Sequence, residues 1–233
     1  RERRICRSYR RDNRTRDRVK NCNSTTQHMI SVIIASFKEP KSIGRCIACI
    51  ANRKYSGIKH PFEIIQVSPD SATLKAGKKQ ANKLKLSKKQ FIQIIDPKKG
   101  KPYALKMAFK KAKGDIIILT DGDTYFEKDA VKFLLEPFVN EKVGGVTGRP
   151  RSSDEINNRY VYWGHLLSDS ADNERKRKLQ KTENANFYIS DQEFFPMSGY
   201  IMAMRNIDLK IPTDVLSDDA YISYALRNEG LEI

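Results

Sequence analysis

The chain has 233 residues, 44 Lys and Arg against 28 Asp and Glu, a formal net charge of +16 and a 39% hydrophobic content. That size gives one large domain or two small ones a core of their own, and it argues against a disulfide-stapled miniature. The charge points to anionic partners: phosphates, nucleic acid or an anionic membrane surface.

No apolar run approaches the length of a membrane span, and no signal peptide is visible. The first residue is Arg, not Met, so the chain is expected to be a piece of a longer protein. Residues 1–28 form a basic arm or juxtamembrane linker, with ten Arg or Lys against three acidic residues in the first twenty. Such a composition cannot bury a core and suits anionic headgroups. Nucleic acid is a weaker reading, because Tyr9 is the one aromatic of the arm.

From Met29 the pattern becomes regular, and residues 29–233 read as one domain. Met29–Phe37 is a predicted strand. Lys41–Arg53 is a helix with Ile43, Ile47 and Ile50 at helical spacing. Phe62–Val67 is the second strand, Ala72–Leu86 a Lys-rich helix and Phe91–Ile95 the third strand. Lys101–Lys113 is a helix with Ala104, Leu105, Ala108 and Phe109 on one face. Asp115–Thr120 is the fourth strand, Glu127–Phe138 a helix and Val143–Thr147 a short strand. Strand–helix alternation of this kind predicts a mostly parallel α/β sheet with helices on both faces.

The last third is less regular. Asp154–Lys181 reads as a long polar helix with Tyr160, Trp163, Leu166 and Leu167 as its apolar face. Phe187–Arg205 holds strand-like pieces. Asp218–Asn228 is a helix with Tyr221, Ile222 and Leu226 inward. Gly230 suits the residue after a helix end, and Leu231–Ile233 resembles the start of another strand.

Candidate chemistry concentrates at Ile116-Ile117-Ile118-Leu119-Thr120-Asp121-Gly122-Asp123. An apolar strand ends there in two carboxylates. In an open α/β sheet, ligands bind beyond the carboxyl ends of the strands. Asp121 and Asp123 are hard oxygen donors suited to Mg²⁺ or Mn²⁺ shared with a phosphate. Gly100-Lys101 opens a helix at the same edge, where a lysine can meet a diphosphate. Cys46 and Cys49 lie on one helix face and read as small apolar residues, since Cys6 and Cys22 offer no paired zinc spacing. Arg149 and Arg151 are either anion ligands or surface residues. His165 reads as structural.

Five patterns occur in order: Ser31–Glu39, Glu63–Asp70 with Ser71, Gly100–Lys106, Asp121-Gly122-Asp123 and Leu216–Tyr221, with Pro196–Tyr200 before the last. Together they resemble the family 2 inverting glycosyltransferases, especially the membrane-associated cellulose, hyaluronan and chitin synthase types. The resemblance spans Ser31 to Ile233. It implies a GT-A (Rossmann-like) fold, incomplete at the C-terminus, and sugar transfer from a UDP-sugar to a hydroxyl acceptor.

The same resemblance implies roles for single residues. Glu39, Asp70, Lys101 and Asp121 hold the nucleotide donor, and Asp121 and Asp123 hold Mg²⁺ or Mn²⁺. Asp219 is the catalytic base. Ser198, Gly199 and Asp218 lie in the acceptor region. The acceptor is a carbohydrate or a lipid-linked molecule, used in polysaccharide or glycolipid synthesis. The protein is expected at a membrane, with the catalytic domain on the cytoplasmic side.

The pattern departs from the family in places. Ala35 stands for Pro, Lys38 for Asn, Ser68-Pro69-Asp70-Ser71 for Asp-Asp-Gly-Ser, Ser217 for Thr and Asp218 for Glu. No Q-x-x-R-W follows before Ile233, as in a truncated chain or a non-processive parent. A haloacid-dehalogenase phosphatase also uses strand-D-x-D, but Tyr125 occupies that family's Thr or Val position. A nucleotidyltransferase would carry a glycine-rich, Arg-containing loop after Ile34. A nucleic-acid-binding module explains the charge and leaves the carboxylates unexplained.

Overall fold

The computed structural model describes residues 28–151, 157–183 and 196–233. Most of the 1–28 arm therefore lies outside the described residues, as do Cys6, Cys22 and the predicted strand-like stretch from Phe187 to 195.

Six strands form one sheet in the order β3-β2-β1-β4-β6-β5. They are β1 (Ile30–Ala35), β2 (Phe62–Ser68), β3 (Phe91–Ile95), β4 (Ile116–Asp121), β5 (Gly145–Thr147) and β6 (Ile201–Arg205). The first four are parallel, with Ile30 opposite both Phe62 and Ile116. β6 runs antiparallel to both β4 and β5. The mostly parallel sheet is as expected, and the reversed β6 is the exception.

Parallel central strands are covered on both faces, which is why they read as unbroken apolar runs. Ile30, Val32 and Ile34 of β1 and Ile116 and Ile118 of β4 face one core, with Ile43, Ile47 and Ile50 of α1 (Ile43–Ala51) and Leu134 and Leu135 of α5 (Ala130–Leu135). Ile33, Ile117 and Leu119 face the other, with Ala104, Leu105 and Ala108 of α4 (Lys101–Phe109) and Ile222 and Leu226 of α7 (Asp218–Asn228). α3 (Ser71–Lys83) packs on the same face as α1.

Helix boundaries follow local chemistry. The expected Lys41–Arg53 helix ends at Asn52, whose side chain accepts N–H bonds from Lys54 and Tyr55 and starts the short α2 (Arg53–Ser56). The expected Glu127–Phe138 helix is shorter: Pro137 sits where α5 tightens into a 3₁₀ turn over Glu136–Val139. Gly230 adopts φ 77° after α7, as the αL residue past a helix end. Glu232 makes a single parallel bridge to Val143.

α6 (Arg159–Glu183) corrects one expectation. Tyr160, Trp163, Leu166 and Leu167 point outward, 74, 55, 40 and 67% exposed. Among the described side chains the half-buried positions are Val161, His165, Ser168, Ala171 and Glu174, spaced as one helical face. Ser168 Oγ donates to Pro150 O at 3.0 Å and Arg149 pairs with Asp169 at 2.9 Å, which ties α6 to the segment after β5.

Candidate active site

The Asp121-Gly122-Asp123 turn is an extension of the sheet. Ala35 of β1 is the partner of Asp121, and Gly122 N–H donates to Ala35 O at 3.0 Å. Gly122 is required by a close approach: a Cβ there would lie 2.2 Å from Glu39 Oε2 and 2.7 Å from Ser36 Cβ.

Glu39 comes from the turn after β1, which is fastened to the start of α3. Lys38 takes φ 58°, a left-handed conformation that Asn tolerates better than Lys. Its N–H donates to Asp70 Oδ2 at 2.8 Å, and Glu39 N–H donates to Thr73 Oγ1 at 2.9 Å. Asp70 also caps α3, accepting Thr73 N–H at 2.8 Å, and it accepts Ser68 Oγ at 3.1 Å. Burial alone would raise the Asp70 carboxyl; the Lys38 and Thr73 N–H groups outweigh it and hold the group below its ordinary range. Three of its roughly four acceptor positions are thus taken by the protein itself.

Glu39 is in the opposite condition. Its Oε2 is buried without a hydrogen-bond partner. Burial, reinforced by the charges of Asp123, Asp121 and Asp70, pushes its carboxyl up to about 7. The end of β4 is therefore a concentration of negative charge short of counter-charge.

Lys101, the first residue of α4, answers part of it. Its Nζ lies 2.8 Å from Asp121 Oδ1 and 3.8 Å from Asp218 Oδ2, with the side chain 38% exposed. Burial works against the ammonium, but Asp121 and Asp218 keep its pKa above the ordinary value. Burial raises the Asp121 carboxyl against the pull of Lys101, and Asp123 and Asp218 add to the rise.

The opposite wall is the start of α7. Ser217 is its N-cap, accepting Ala220 N–H at 3.3 Å; Asp218 and Asp219 form the first turn. Asp219 Oδ2 accepts Gly199 N–H at 3.2 Å, while its Oδ1 accepts Ala220 N–H at 2.9 Å and the Ser217 hydroxyl. A Cβ on Gly199 would stand 3.1 Å from Asp219 Oδ2, so glycine lets this backbone sit against the carboxylate. The Gly199 segment is fixed by residues the sequence did not single out. Met197 N–H donates to Ser223 Oγ at 3.0 Å, Ser198 N–H to Thr147 Oγ1 at 2.8 Å, and Thr120 Oγ1 to Tyr200 O at 3.0 Å.

Lys101, Asp121, Ser198, Gly199, Asp218 and Asp219 all line one cleft of about 530 Å³. Glu39, Asp70 and Asp123 do not line it. They stand along the ends of β1, β2 and β4, joined to the cleft through Asp121-Gly122. Phe37, 52% exposed beside Lys38, is an aromatic surface at that end.

Arg149 is engaged by Asp169, and Arg151 is exposed. Cys46 and Cys49 are free thiols on α1, and Cys46 Sγ lies 3.6 Å from Asp121 O; burial pushes the Cys46 thiol up, away from the reactive thiolate.

Among the described residues, no group of three or more His, Cys, Asp or Glu side chains forms a ready-made metal cage. The Asp121 and Asp123 carboxylates still fit Mg²⁺ or Mn²⁺, which keep water and phosphate oxygens in their shells. The partnerless Glu39 oxygen beside Gly122 marks the same surplus of negative charge.

Comparison with known proteins agrees with this geometry. The profile of Glycosyl transferase family 2 matches residues 31–210. An N-acetylglucosaminyltransferase of Azorhizobium caulinodans is 33% identical over 122 residues, 52% of this chain and 30% of that protein. The poly(ribitol-phosphate) β-N-acetylglucosaminyltransferase TarS of Staphylococcus aureus is 28% identical over 229 residues, 86% of this chain and 36% of TarS. The poly-β-1,6-N-acetyl-D-glucosamine synthase of the same species is 28% identical over 216 residues, 88% of this chain and 47% of the synthase. The chain thus spans less than half the length of each of these relatives. Among solved structures, the Pyrobaculum calidifontis mannosyltransferase PcManGT, in complex with GDP-Man and Mn²⁺, superposes with a TM-score of 0.62 at 16% identity, over 94% of this chain and 59% of that one. Residues 1–349 of TarS superpose with a TM-score of 0.51 at 19% identity, over 85% of this chain and 54% of that one. These likenesses show the fold to be GT-A, and the sequence match over most of the domain shows that the chain belongs to glycosyl transferase family 2.

Proposed function

We propose that this domain transfers a sugar, with inversion, from a UDP-sugar to a hydroxyl of a carbohydrate or lipid-linked acceptor. The observation that carries the reading is the cleft with Lys101 and Asp121 on one side and Asp219, bonded to Gly199, on the other. A cation-lined leaving-group side facing a carboxylate is what direct displacement at an anomeric carbon needs.

Asp121 and Asp123 would hold a Mg²⁺ or Mn²⁺ ion, which when bound supplies Lewis-acid neutralisation of the diphosphate. Lys101 turns from Asp121 towards the diphosphate and stabilises the charge that develops as the bond to the anomeric carbon breaks. Asp219 takes the acceptor hydroxyl proton as that oxygen bonds to the carbon. The electron pair of the broken bond leaves with the diphosphate. No protein nucleophile is required, and one displacement inverts the centre. Phe37 offers a ring face for the base, and Glu39 and the remaining acceptor position of Asp70 offer oxygens to its N–H. Membrane association, with the domain on the cytoplasmic side, belongs to the same proposal. No helix among the described residues is long and apolar enough to cross a membrane.

Calorimetric titration with UDP and with GDP, each with and without Mn²⁺, tests the donor site. Mn²⁺-dependent UDP binding that weakens in both Asp121→Asn and Asp123→Asn is expected. Binding unaffected by Mn²⁺ and by both substitutions, or preference for GDP, contradicts the donor assignment.

A further inference from the structure

We propose that the lysine-covered β3 edge of the domain docks on an anionic phospholipid bilayer. Between Ser71 and Gly114 the chain has 14 Lys, no Arg and one acidic residue, Asp96; this gives +13 of the chain's formal +16. All of these lysines are exposed, while Asp96 is buried. Among the described residues, the ion pairs made from this stretch are those of Lys101 with Asp121 and Asp218. The others face solvent with no carboxylate to answer them.

The fold gathers this charge on one side. β3 is an edge of the sheet. α3 covers one face beside it and α4 the other. The lysines therefore wrap the rim: Lys78 and Lys79 on α3, Lys88 and Lys89 before β3, Lys98 and Lys99 after it. Lysines flanking an edge strand guard against strand pairing, but β3 itself carries none, and that role does not account for those on the outer sides of α3 and α4.

Three features favour a lipid surface over other polyanions. The cations are all lysine, a hydrated point charge suited to diffuse attraction; specific phosphate recognition favours the planar arginine fork. The stretch exposes no aromatic ring, since Phe91 and Tyr103 are half-buried and Phe109 is buried, so unpaired bases have no platform to stack on. Its one exposed large apolar side chain, Ile95, is 74% exposed near Lys98 and Lys99, where it can enter the headgroup boundary. Lys98 and Lys99 run directly into Gly100 and Lys101, so docking brings this side of the cleft to the headgroups. The inference deepens the membrane part of the proposed function. Its test uses no sugar donor, so its failure leaves the transferase reading standing.

The test is co-sedimentation of the whole chain with vesicles of phosphatidylcholine alone and with phosphatidylglycerol added, at low and high salt. Five substitutions, Lys78, Lys79, Lys88, Lys89 and Lys98 each →Gln, are compared with five on other faces, Lys41, Lys54, Lys59, Lys128 and Lys142 each →Gln. Circular dichroism melts check that both sets fold. Each lysine at such a surface is worth about fivefold in partition. The rim variant is therefore expected to lose phosphatidylglycerol binding by about 100-fold or more, and the control set by less than about tenfold. Wild-type binding is expected to fall steeply with salt, because the Debye length is only about 3 Å at 1 M. Unchanged binding in the rim variant, equal loss in the control set, or tighter binding of duplex DNA than of the vesicles at the same salt each overturns the proposal.

Discussion

Gly122→Ala probes the joint between the two halves of the site. Its Cβ would meet Glu39 Oε2 at 2.2 Å, Ser36 Cβ at 2.7 Å and Ile43 Cδ1 at 3.3 Å. The first contact is the end of a side chain and can swing away. The second is fixed to the backbone just beyond β1 and cannot. The Asp121-Gly122-Asp123 turn must therefore move, and overpacking of this kind costs about 1–3 kcal/mol. For a domain of this size that lowers the melting temperature by about 2–10 °C. Mn²⁺-dependent UDP affinity should fall tenfold or more, because both carboxylates are displaced. Adding Glu39→Ala relieves the 2.2 Å contact and leaves the 2.7 Å one, so the double variant should recover part of the stability. The expected coupling is about 0.5–2 kcal/mol by urea melts. A Gly122→Ala protein that melts within about 0.5 kcal/mol of wild type and binds Mn²⁺ and UDP equally well would refute the packing argument.

Asp219→Asn should cut transfer by about 10²-fold or more, the scale of lost acid–base help, while calorimetry shows UDP and Mn²⁺ binding nearly intact. Asp121→Asn or Asp123→Asn should weaken Mn²⁺-dependent UDP binding by about 2 kcal/mol, the loss of a charged ligand; equal binding in both would remove the metal assignment. Glu39 should give the ion-free protein a pH signature. Its carboxyl stands at about 7 in the fold against an ordinary 4.5, so folding favours the protonated form. The stability it contributes is complete below pH 4.5 and is lost as pH rises to about 7, about 1–2 kcal/mol once solvent screening of this half-buried group is counted. Urea melts of wild type against Glu39→Gln should converge at low pH and diverge towards pH 8; parallel curves would contradict the burial of that charge.

Much of the fold was legible because parallel strands buried on both faces leave an unmistakable mark. Ile116–Leu119 and Val32–Ile34 could hardly be anything else. Strand direction leaves no such mark. Ile201–Arg205 reads equally well either way, and its reversal shows only in its pairing with β4 and β5. The α6 stripe misled for a physical reason. Tyr160, Trp163 and Leu167 have the spacing of a buried face, yet the face towards the protein is Val161, His165, Ser168, Ala171 and Glu174, a weaker apolar signal. In the site, the sequence brought Asp121, Lys101, Asp218 and Asp219 together through the order of motifs, and the cleft contains all four. It did not reveal that Asp70 serves as helix cap and turn anchor at once, although Ser-Pro-Asp-Ser carries the cap signal. Nor did it reveal that the Oε2 oxygen of Glu39 is buried without a partner, because nothing in a sequence shows which carboxylate oxygen lacks a donor. The left-handed Lys38, where the family carries Asn, is the local cost of keeping the Asp70 anchor.

In the proposed function, the cleft between Lys101 and Asp219 performs inverting sugar transfer. The most direct measurement is NMR of the product formed from a panel of UDP-sugars with Mn²⁺, reading the anomeric configuration of the new linkage in wild type and Asp219→Asn. A product of configuration opposite to the donor's is expected, formed by wild type and reduced about 100-fold in the variant. Retention of the donor's configuration, or wild-type rates in Asp219→Asn, would contradict it.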